Sequence, residues 1–247
     1  MTQELSETTA LVTGATAGIG RAVALHLASE GATVVVHGRD AARGAEVVDE
    51  IEAAGGSARF VAADLSDPAD VARLAAEAGD GDVLVNNAGI YAFASTLETT
   101  VDVFDAHFAV NTRAPYLLVA ALAPGMAERG RGSIVNVTTV AATTPMASGG
   151  VYGASKAAIE LLTRTWADEF GAAGVRVNAV SPGPVHTPGT SVMGDGIEAI
   201  GRTTIAQRVA EPEEIAEAIV FLASPRASYV NGTTLTVHGG APALTGA

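Results

Sequence analysis

A tyrosine and a lysine with the spacing of a proton-transfer pair, Tyr152 and Lys156, stand four residues apart in the chain. On a helix this spacing puts both side chains on one face, one turn apart. A cation held near a phenol favours the phenolate and lowers the phenol pKa from about 10 toward neutral pH. Such a tyrosine can act as general acid or base on an alcohol–carbonyl pair. The same spacing also occurs on helix surfaces without a function, but Lys156 is the one lysine among 14 basic residues.

A cluster of glycines lies in the segment Thr13–Gly20, directly after an apolar run. Glycines at a strand-to-helix turn let the backbone approach a pyrophosphate, and the helix N-terminus offers unpaired N–H groups. The spacing is G-x-x-x-G-x-G rather than the more familiar G-x-G-x-x-G. The segment therefore predicts nucleotide binding. The residues expected to contact the nucleotide here are Gly14, Thr16, Gly18, Ile19 and Gly20.

The end of the second apolar run bears on which dinucleotide binds. An acid at this place suits the ribose 2′-hydroxyl of NAD, whereas a nearby arginine suits the 2′-phosphate of NADP. Here Gly38 occupies the most suitable acid position, and Arg39 and Asp40 follow. We therefore expect NADP(H), with NAD(H) left open because Asp40 is close. In the alternative interpretation Arg39 is a solvated residue and Asp40 a helix N-cap.

Two further loops follow apolar runs. Asp64 and Leu65 come after the third run, where the carboxylate could accept from the adenine amine or serve as a turn residue. Asn87, Ala88 and Gly89 come after the fourth run. The small residues leave room for a ribose against the backbone, although asparagine is also a common turn former.

Seven short apolar runs alternate with Ala-rich helical stretches. The runs are β-branched and nearly continuous, as expected of parallel strands covered on both faces. The predicted strands are Thr9–Thr13, Ala32–Val36, Ala58–Ala63, Val83–Asn86, Ser133–Val137, Val175–Val180 and Thr233–Val237. The predicted helices are Ile19–Ser29, Ala41–Ala53, Ala69–Ala78, Val101–Glu128, Val151–Ala172 and Pro212–Leu222. This alternation indicates βαβ units and an α/β, doubly wound, Rossmann-like parallel sheet with helices on both faces.

Nothing in the sequence divides the chain, so we expect a single domain over residues 1–247. Its one irregular segment, Thr187–Gln207, is rich in glycine and lies between a strand end and the last helix. Long loops in compact α/β domains are uncommon unless they are functional. We interpret this segment as a mobile lid over a ligand, the alternative being an ordinary surface loop.

Composition excludes several classes of function. A net charge of −13 disfavours nucleic acids and anionic membranes as partners. The absence of cysteine excludes disulfides and thiolate catalysis, and no histidines have the spacing of metal ligands. The N-terminus has neither a basic nor an apolar signal region, and no apolar stretch is long enough to span a bilayer. We expect a cytoplasmic protein with a small-molecule substrate.

Taken together, the motifs resemble those of the short-chain dehydrogenase/reductase family over roughly Thr9 to Gly240. They occur in the family's order and are very specific as a set. They are Thr13–Gly20, Asn86–Gly89, Asn111, Tyr152 with Lys156, and Pro182-Gly183. The resemblance implies a seven-stranded parallel sheet, a nicotinamide cofactor and a homotetramer built on the two long helices.

The resemblance also implies roles for single residues. Tyr152 would give the proton to a carbonyl oxygen or take it from an alcohol, and Lys156 would lower the Tyr152 pKa and hold the nicotinamide ribose. Asn111 would hold a water between Lys156 and solvent. The cofactor-binding residues implied after the sixth strand are Pro182, Gly183, Val185 and Thr187, of which the last two would bind the carboxamide.

The chain departs from the family at two places. The family's serine, 13 residues before the tyrosine, corresponds to Thr139, whose hydroxyl can still bond a substrate oxygen. Its methyl group stiffens the side chain and could crowd the pocket; Thr138 is the alternative. Ala17 stands where many NADP-preferring members carry a basic residue, which weakens the prediction of NADP without reversing it.

The resulting prediction is an NADP(H)-dependent oxidoreductase that transfers a hydride between nicotinamide and a carbonyl or secondary alcohol. The alternatives are an NAD-dependent alcohol dehydrogenase of the same fold and a non-catalytic nucleotide-binding sensor. The expected substrate wall is mostly apolar, which indicates a hydrophobic ketone or alcohol. It comprises Tyr91, Thr139–Ala141, Met146, Ser148–Gly150, Val192 and Met193.

Overall fold

The computed structural model describes residues 4–240, and within them seven strands form one parallel sheet. The strands are β1 Thr9–Val12, β2 Thr33–Gly38, β3 Ser57–Ala62, β4 Val83–Asn86, β5 Gly132–Val137, β6 Val175–Pro182 and β7 Thr234–Val237. Their order across the sheet is β3-β2-β1-β4-β5-β6-β7, and every pair is parallel. The strand order reverses between β1 and β4, the place where α/β sheets bind ligands. The predicted α/β fold with a seven-stranded parallel sheet is confirmed.

Helices cover both faces of this sheet. They are α1 Gly18–Ser29, α2 Ala41–Ala53, α3 Pro68–Ala78, α4 Val101–Phe108, α5 Ala114–Glu128, α6 Gly150–Gly171, α7 Asp195–Thr203 and α8 Pro212–Ala223. Two buried clusters result. One joins α1, α2 and α8 to the sheet through residues such as Val12, and the other joins α3, α5 and α6 to it through residues such as Leu11. Because neighbouring strand residues point to opposite faces, both must be apolar, which explains the nearly continuous apolar runs.

The long helix predicted over Val101–Glu128 differs in the structure. It is α4 and α5 joined by a wider, π-helical turn over Ala109–Arg113. Single π-helical turns inside α-helices occur frequently at functional sites. This turn contains Asn111, whose side chain is buried between the loop after β4 and α6.

The segment predicted as irregular, residues 187–207, is also partly helical. A 3₁₀ turn over Thr190–Met193 is followed by α7, so the prediction of a loop throughout was wrong. The reason is packing: Ile197 and Gly201 of α7 are buried, and the backbone of Gly201 lies close to Val209. That the segment 187–207 opens and closes as a lid remains a prediction.

None of the helices between residues 4 and 240 combines the length and the apolar content that crossing a bilayer requires.

Candidate active site

The glycine turn after β1 forms an open cradle at the N-terminus of α1. Gly14 and Gly18 have φ values of 64° and 52°, in the left-handed region that favours glycine. A Cβ on Gly20 would lie 2.2 Å from the carbonyl oxygen of Gly14, so the helix can approach the turn only with glycine there. No side chain of residues 4–240 caps this helix, since Ala17 is at the N-cap. The first N–H groups of α1 therefore suit an anionic ligand such as a pyrophosphate.

Hydrogen bonds from the loop after β4 fix this turn. The Thr13 hydroxyl accepts from the backbone N–H groups of Asn87 and Ala88, at 3.0 Å each. The Asn87 amide donates to the carbonyl oxygens of Thr13 and Gly14, at 2.8 and 3.2 Å. Asn87 thus ties two loops together at the edge of the sheet, and Ala88 and Gly89 continue along the same edge.

A buried histidine that the sequence analysis did not single out supports the turn from the other side. His37 Nδ1 accepts from the Gly14 N–H at 3.1 Å, which leaves Nε2 to donate to the Ala63 carbonyl oxygen at 3.1 Å. Burial lowers the pKa of His37 from its ordinary value of 6.5, partly offset by the bond to Ala63. A neutral imidazole therefore links the turn to β2 and β3. The signal in the sequence is a histidine at the end of an otherwise apolar strand.

We expect the stability contributed by His37 to fall in acid. Its pKa is lower in the folded chain than in the unfolded chain, so the unfolded chain binds the extra proton first. The contribution is complete above pH 6.5 and is lost as the pH falls through the folded-state pKa. Glutamine, which also accepts and donates but does not titrate in this range, should flatten the dependence. Urea unfolding of wild type and His37→Gln between pH 8 and about pH 5.5 measures this, and parallel curves would contradict it.

At the end of β2, two arginines line the cavity, and the nearby Asp40 carboxylate is hydrogen-bonded within the protein. Asp40 caps α2, accepting from the N–H groups of Ala42 and Arg43 at 3.0 and 3.2 Å and from Arg43 Nε at 2.9 Å. These bonds lower the pKa of Asp40. Arg39 and Arg43 line the cavity. The interpretation of Asp40 as a helix N-cap is confirmed.

Asp64, after β3, also lines the cavity and is held locally. Its carboxylate accepts from the Ser66 N–H at 2.9 Å and from the Ser66 hydroxyl at 2.8 Å, and these bonds lower its pKa. Leu65 is buried beside it. Asp64 is therefore a turn residue, as one interpretation of the sequence predicted. It also lies at the cavity, where the other interpretation, an acceptor for the adenine amine, requires it.

A cluster of hydroxyls and one ammonium lies where β5 and α6 meet. The Thr139 hydroxyl lies beside the Tyr152 phenol and accepts from the Ala141 N–H at 3.3 Å. One turn along α6, the Lys156 ammonium donates to the Val137 carbonyl oxygen at 2.8 Å, and burial lowers its pKa to about 8. Thr138 also lines the cavity, but its hydroxyl donates to Glu160 and to the Val180 carbonyl oxygen instead. The register that assigned Thr139 rather than Thr138 to this position therefore fits the geometry.

The pKa of Tyr152 differs from the expectation. Burial raises the pKa above its ordinary value of 10, the neighbouring Thr139 hydroxyl acts in the opposite direction, and Tyr91 adds a smaller increase. The prediction of a lowered pKa is thus wrong for the chain alone, because loss of solvation dominates. The phenol is held in its protonated form.

Asn111 lies behind the cavity wall rather than on it. Its side chain makes two bonds of 2.9 Å with the backbone of Ile90 and donates to the Ser155 hydroxyl at 3.0 Å, which itself donates to the Tyr152 carbonyl oxygen. A Cβ on Gly89 would lie 3.3 Å from Asn111 Oδ1 and 3.2 Å from Lys156 Nζ, so Asn111 and Lys156 are neighbours. Asn111 joins the loop after β4 to α6.

The last group of predicted residues follows β6. The Gly183 N–H donates to the Val237 carbonyl oxygen, and a Cβ on Gly183 would meet the backbone of His238 at 2.8 Å. Val185 is buried, and the Thr187 hydroxyl is bonded to Thr190. His186 points elsewhere, onto Glu198 of α7 and Glu211, at 2.8 Å each.

One cavity of about 1090 Å³ joins these groups at the carboxyl ends of the strands. Every predicted site residue except Asn111 lines it. The lining includes Gly14, Thr16, Gly18, Ile19, Gly20, Arg39, Asp64, Leu65, Asn87, Ala88, Gly89, Thr139, Tyr152, Lys156, Pro182, Gly183, Val185 and Thr187. Of the predicted substrate wall, Tyr91, Thr139–Ala141, Met146, Ser148 and Met193 line it, whereas Gly149, Gly150 and Val192 do not. Ile197 and Ile200, in the segment predicted as a lid, line it as well, and sequence reasoning missed Phe93.

Comparisons with known proteins agree with this geometry. The profile of a family described as enoyl-(acyl carrier protein) reductase matches residues 14–242. A solved structure of a short-chain dehydrogenase/reductase family protein is 56% identical, with a TM-score of 0.91, covering 96% of this chain and 98% of that one. A 3-oxoacyl-(acyl-carrier-protein) reductase from Agrobacterium tumefaciens C58, solved with NADP bound, is 31% identical, with a TM-score of 0.92 over 96% and 95% of the two chains.

Another protein similar to this chain is named for a different reaction. The cis-4-hydroxycyclohexanecarboxylate dehydrogenase of Sinomonas cyclohexanicum is 40% identical over 255 residues, covering 99% of this chain and all of that protein. The proteins similar to this chain thus carry different substrate names, so the substrate has to be argued from this chain's own residues.

Proposed function

This chain belongs to the short-chain dehydrogenase/reductase family, whose members act on CH–OH and C=O groups, and from that premise we propose that it is an NADP(H)-dependent oxidoreductase of carbonyls and secondary alcohols. The observation that carries the proposal is that one cavity joins the glycine cradle to the hydroxyls of Tyr152 and Thr139. A nucleotide held in the cradle and a substrate at the hydroxyls would share that space.

The residues of the cradle fit a dinucleotide. The open N-terminus of α1 and the glycines around it accommodate a pyrophosphate close to the backbone. Gly89 would leave room for a ribose next to Lys156, and Val185 with Thr187 would hold the nicotinamide end, as the family resemblance implies. The bound cofactor would supply the hydride, which no side chain of this protein can provide.

The protein's own contribution is proton transfer and orientation. Tyr152, kept protonated by burial, would donate its proton to the carbonyl oxygen during reduction and accept it back during oxidation. Thr139 would donate a second hydrogen bond to the same oxygen. Lys156 would hold the ribose and replace the proton, and Asn111 would hold the loop and helix that frame the pair.

Charge at the end of β2 favours NADP(H) over NAD(H). Arg39 and Arg43 line the cavity there, and Asp40, the carboxylate that would repel a 2′-phosphate, is engaged as the cap of α2 and by Arg43. Guanidinium groups bind phosphate by charge-assisted hydrogen bonds. Ala17 supplies no further positive charge, so Arg39 and Arg43 carry this preference.

We expect Arg39→Ala to weaken NADPH binding about 10- to 100-fold, the effect of one charge-assisted bond, with NADH binding changed less than about 3-fold. Fluorescence titration of the purified protein with NADPH and NADH, at low and moderate salt, measures both. Arg131→Ala is the matched control, because Arg131 is exposed and paired with Asp82 away from the cavity.

The titration, together with an assay of carbonyl turnover, distinguishes the proposed function from its alternatives. Equal or tighter NADH binding by the wild type would favour the alternative, an NAD-dependent alcohol dehydrogenase. Binding of neither nucleotide would overturn the proposal. Binding without turnover of any carbonyl would favour a nucleotide-binding sensor.

The homotetramer and the cytoplasmic location stay predictions. The exposed apolar side chains of Tyr116 on α5 and Leu161 on α6 support an assembly through these two helices.

A further inference from the structure

Three aromatic rings meet at the proposed proton donor. The ring centroids of Tyr91, Phe93 and Tyr152 lie 6.0 to 6.2 Å from one another. Phe93 meets Tyr152 edge to face, at an interplanar angle of 84°, and Tyr91 meets it at 64°. Such edge-to-face pairs are stable arrangements of aromatic rings. Tyr91 and Phe93 thus form an aromatic wall beside the Tyr152 phenol.

The loop that carries this wall is fixed at two points. Asn111 bonds both backbone groups of Ile90, as described above. His107, buried on α4, accepts from the Ala92 N–H at 3.0 Å through Nε2 while its Nδ1 donates to the Val103 carbonyl oxygen at 2.7 Å. The residues on either side of Tyr91 are therefore held by the protein interior. Hydrogen bonds from Asn111 and His107 therefore fix the loop that positions the aromatic wall.

Other residues that line this cavity are apolar as well. They are Met146 from the loop after β5 and Met193, Ile197 and Ile200 from the segment that contains α7. Tyr91 reaches this segment: a Cβ on Gly189 would lie 1.6 Å from the Tyr91 hydroxyl oxygen, so the two residues are in contact. A ligand among these residues and the aromatic wall would meet aromatic rings, aliphatic side chains and thioethers.

The arginines that line the cavity lie at its other end. Among residues 4–240, the lysines and arginines that line it are Arg39, Arg43 and Lys156. The two arginines follow β2, two strands away from β4, and the Lys156 ammonium is bonded to the Val137 carbonyl oxygen. A carboxylate or phosphate on the substrate would find no arginine or free lysine at the aromatic wall, in a chain of net charge −13.

Building on the function proposed above, we propose that the substrate is a neutral, apolar carbonyl or secondary alcohol carried on a ring, and that Phe93 determines this specificity. A flat or puckered ring would cover the aromatic wall with its carbonyl oxygen at Tyr152 and Thr139. An open chain leaves part of the wall uncovered, and an anionic group loses its hydration without a partner.

The test compares ketones that differ in one property. Consumption of NADPH is followed with 4-methylcyclohexanone, with 2-heptanone, which has the same number of carbon atoms without the ring, and with 4-oxocyclohexanecarboxylate, which adds a negative charge. We expect kcat/KM to be about 10-fold lower for the open chain and about 100-fold lower for the anion, as lost apolar contact and an unpaired charge imply. Equal or higher values for either would overturn the proposal.

Substitution then assigns the preference to the wall. Phe93→Leu should lower the ratio of ring to open-chain kcat/KM by about 5- to 10-fold and change the open-chain value itself less than about 3-fold. Phe104→Leu, an exposed α4 phenylalanine that does not line the cavity, should leave the ratio unchanged. Equal loss on both ketones would assign Phe93 a structural role and overturn its part in specificity.

A binding measurement separates this proposal from the function on which it rests. Calorimetric titration of the NADP⁺-saturated protein with 4-methylcyclohexanone and 2-heptanone reports the ring preference without turnover, because NADP⁺ has no hydride to transfer to a ketone. Absence of NADPH oxidation with every ketone would contradict the proposed function alone, whereas turnover or binding without ring preference would contradict only the specificity.

Discussion

Replacing Tyr152 by phenylalanine should lower kcat about 10²- to 10⁴-fold, the range expected for loss of a general acid. NADPH affinity should change less than about 3-fold, since the ring and its contacts with Phe93, Tyr91 and His107 remain. Only the hydroxyl beside Thr139 is removed. Steady-state kinetics with NADPH and a ketone, together with the fluorescence titration, separates the two effects.

A second tyrosine provides the control for this substitution. Tyr229 is fully exposed and outside the cavity, so Tyr229→Phe should leave both kcat and affinity unchanged. A Tyr152→Phe protein that retained a tenth or more of its rate would have to take its proton from another group. The Tyr91 hydroxyl, on the ring adjacent to Tyr152, would then be the group to replace next.

Adding one methyl group at Gly20 should abolish cofactor binding within the measurable range, a loss of about 100-fold or more. The new Cβ would lie 2.2 Å from the Gly14 carbonyl oxygen and 2.4 Å from Asn87 Nδ2, so the glycine turn or α1 must move. Overpacking of this kind typically costs about 1–3 kcal/mol of stability as well. Fluorescence titration with NADPH and urea unfolding of Gly20→Ala measure the two losses.

Gly150 offers the matched control. It opens α6, and no atom lies within 4 Å of the place where its Cβ would stand. Gly150→Ala should leave NADPH binding unchanged and raise stability by up to about 1 kcal/mol, since alanine restricts the unfolded chain more than glycine does. If Gly20→Ala bound NADPH as tightly as Gly150→Ala, the turn would not be the phosphate cradle.

The sheet and the glycine turn could be predicted because their signals are local. Each strand is a short apolar run, because both of its faces are buried. Asp40 predicts the start of α2, because aspartate is a preferred N-cap residue. The same holds for Tyr152 and Lys156, whose spacing on a helix is fixed by helix geometry. These predictions required no knowledge of what the residues touch.

The remaining features depend on contacts between distant parts of the chain. The role of His37 follows from bonds to Gly14 and Ala63, 23 and 26 residues away, which no local pattern encodes. α7 was hidden because its glycines and polar residues outweigh the few apolar residues it buries. The pKa of Tyr152 was predicted in the wrong direction because the burial of the phenol follows from packing and cannot be read from its distance to Lys156 along the helix.

The π-helical turn at Ala109–Arg113 makes the length of this segment as important as its residues. A π-helical turn accommodates an additional residue within an α-helix. Each residue of an α-helix rotates the next by about 100°, but the wider turn takes up its additional residue without passing that rotation on to α5. Deleting one residue here would therefore leave a continuous α-helix in which His107, which fixes the aromatic wall, and Leu118, buried against the sheet, keep their orientations. Asn111 would lose the position from which it bonds Ile90 and Ser155. A deletion of one residue in this turn should therefore harm the site far more than the fold.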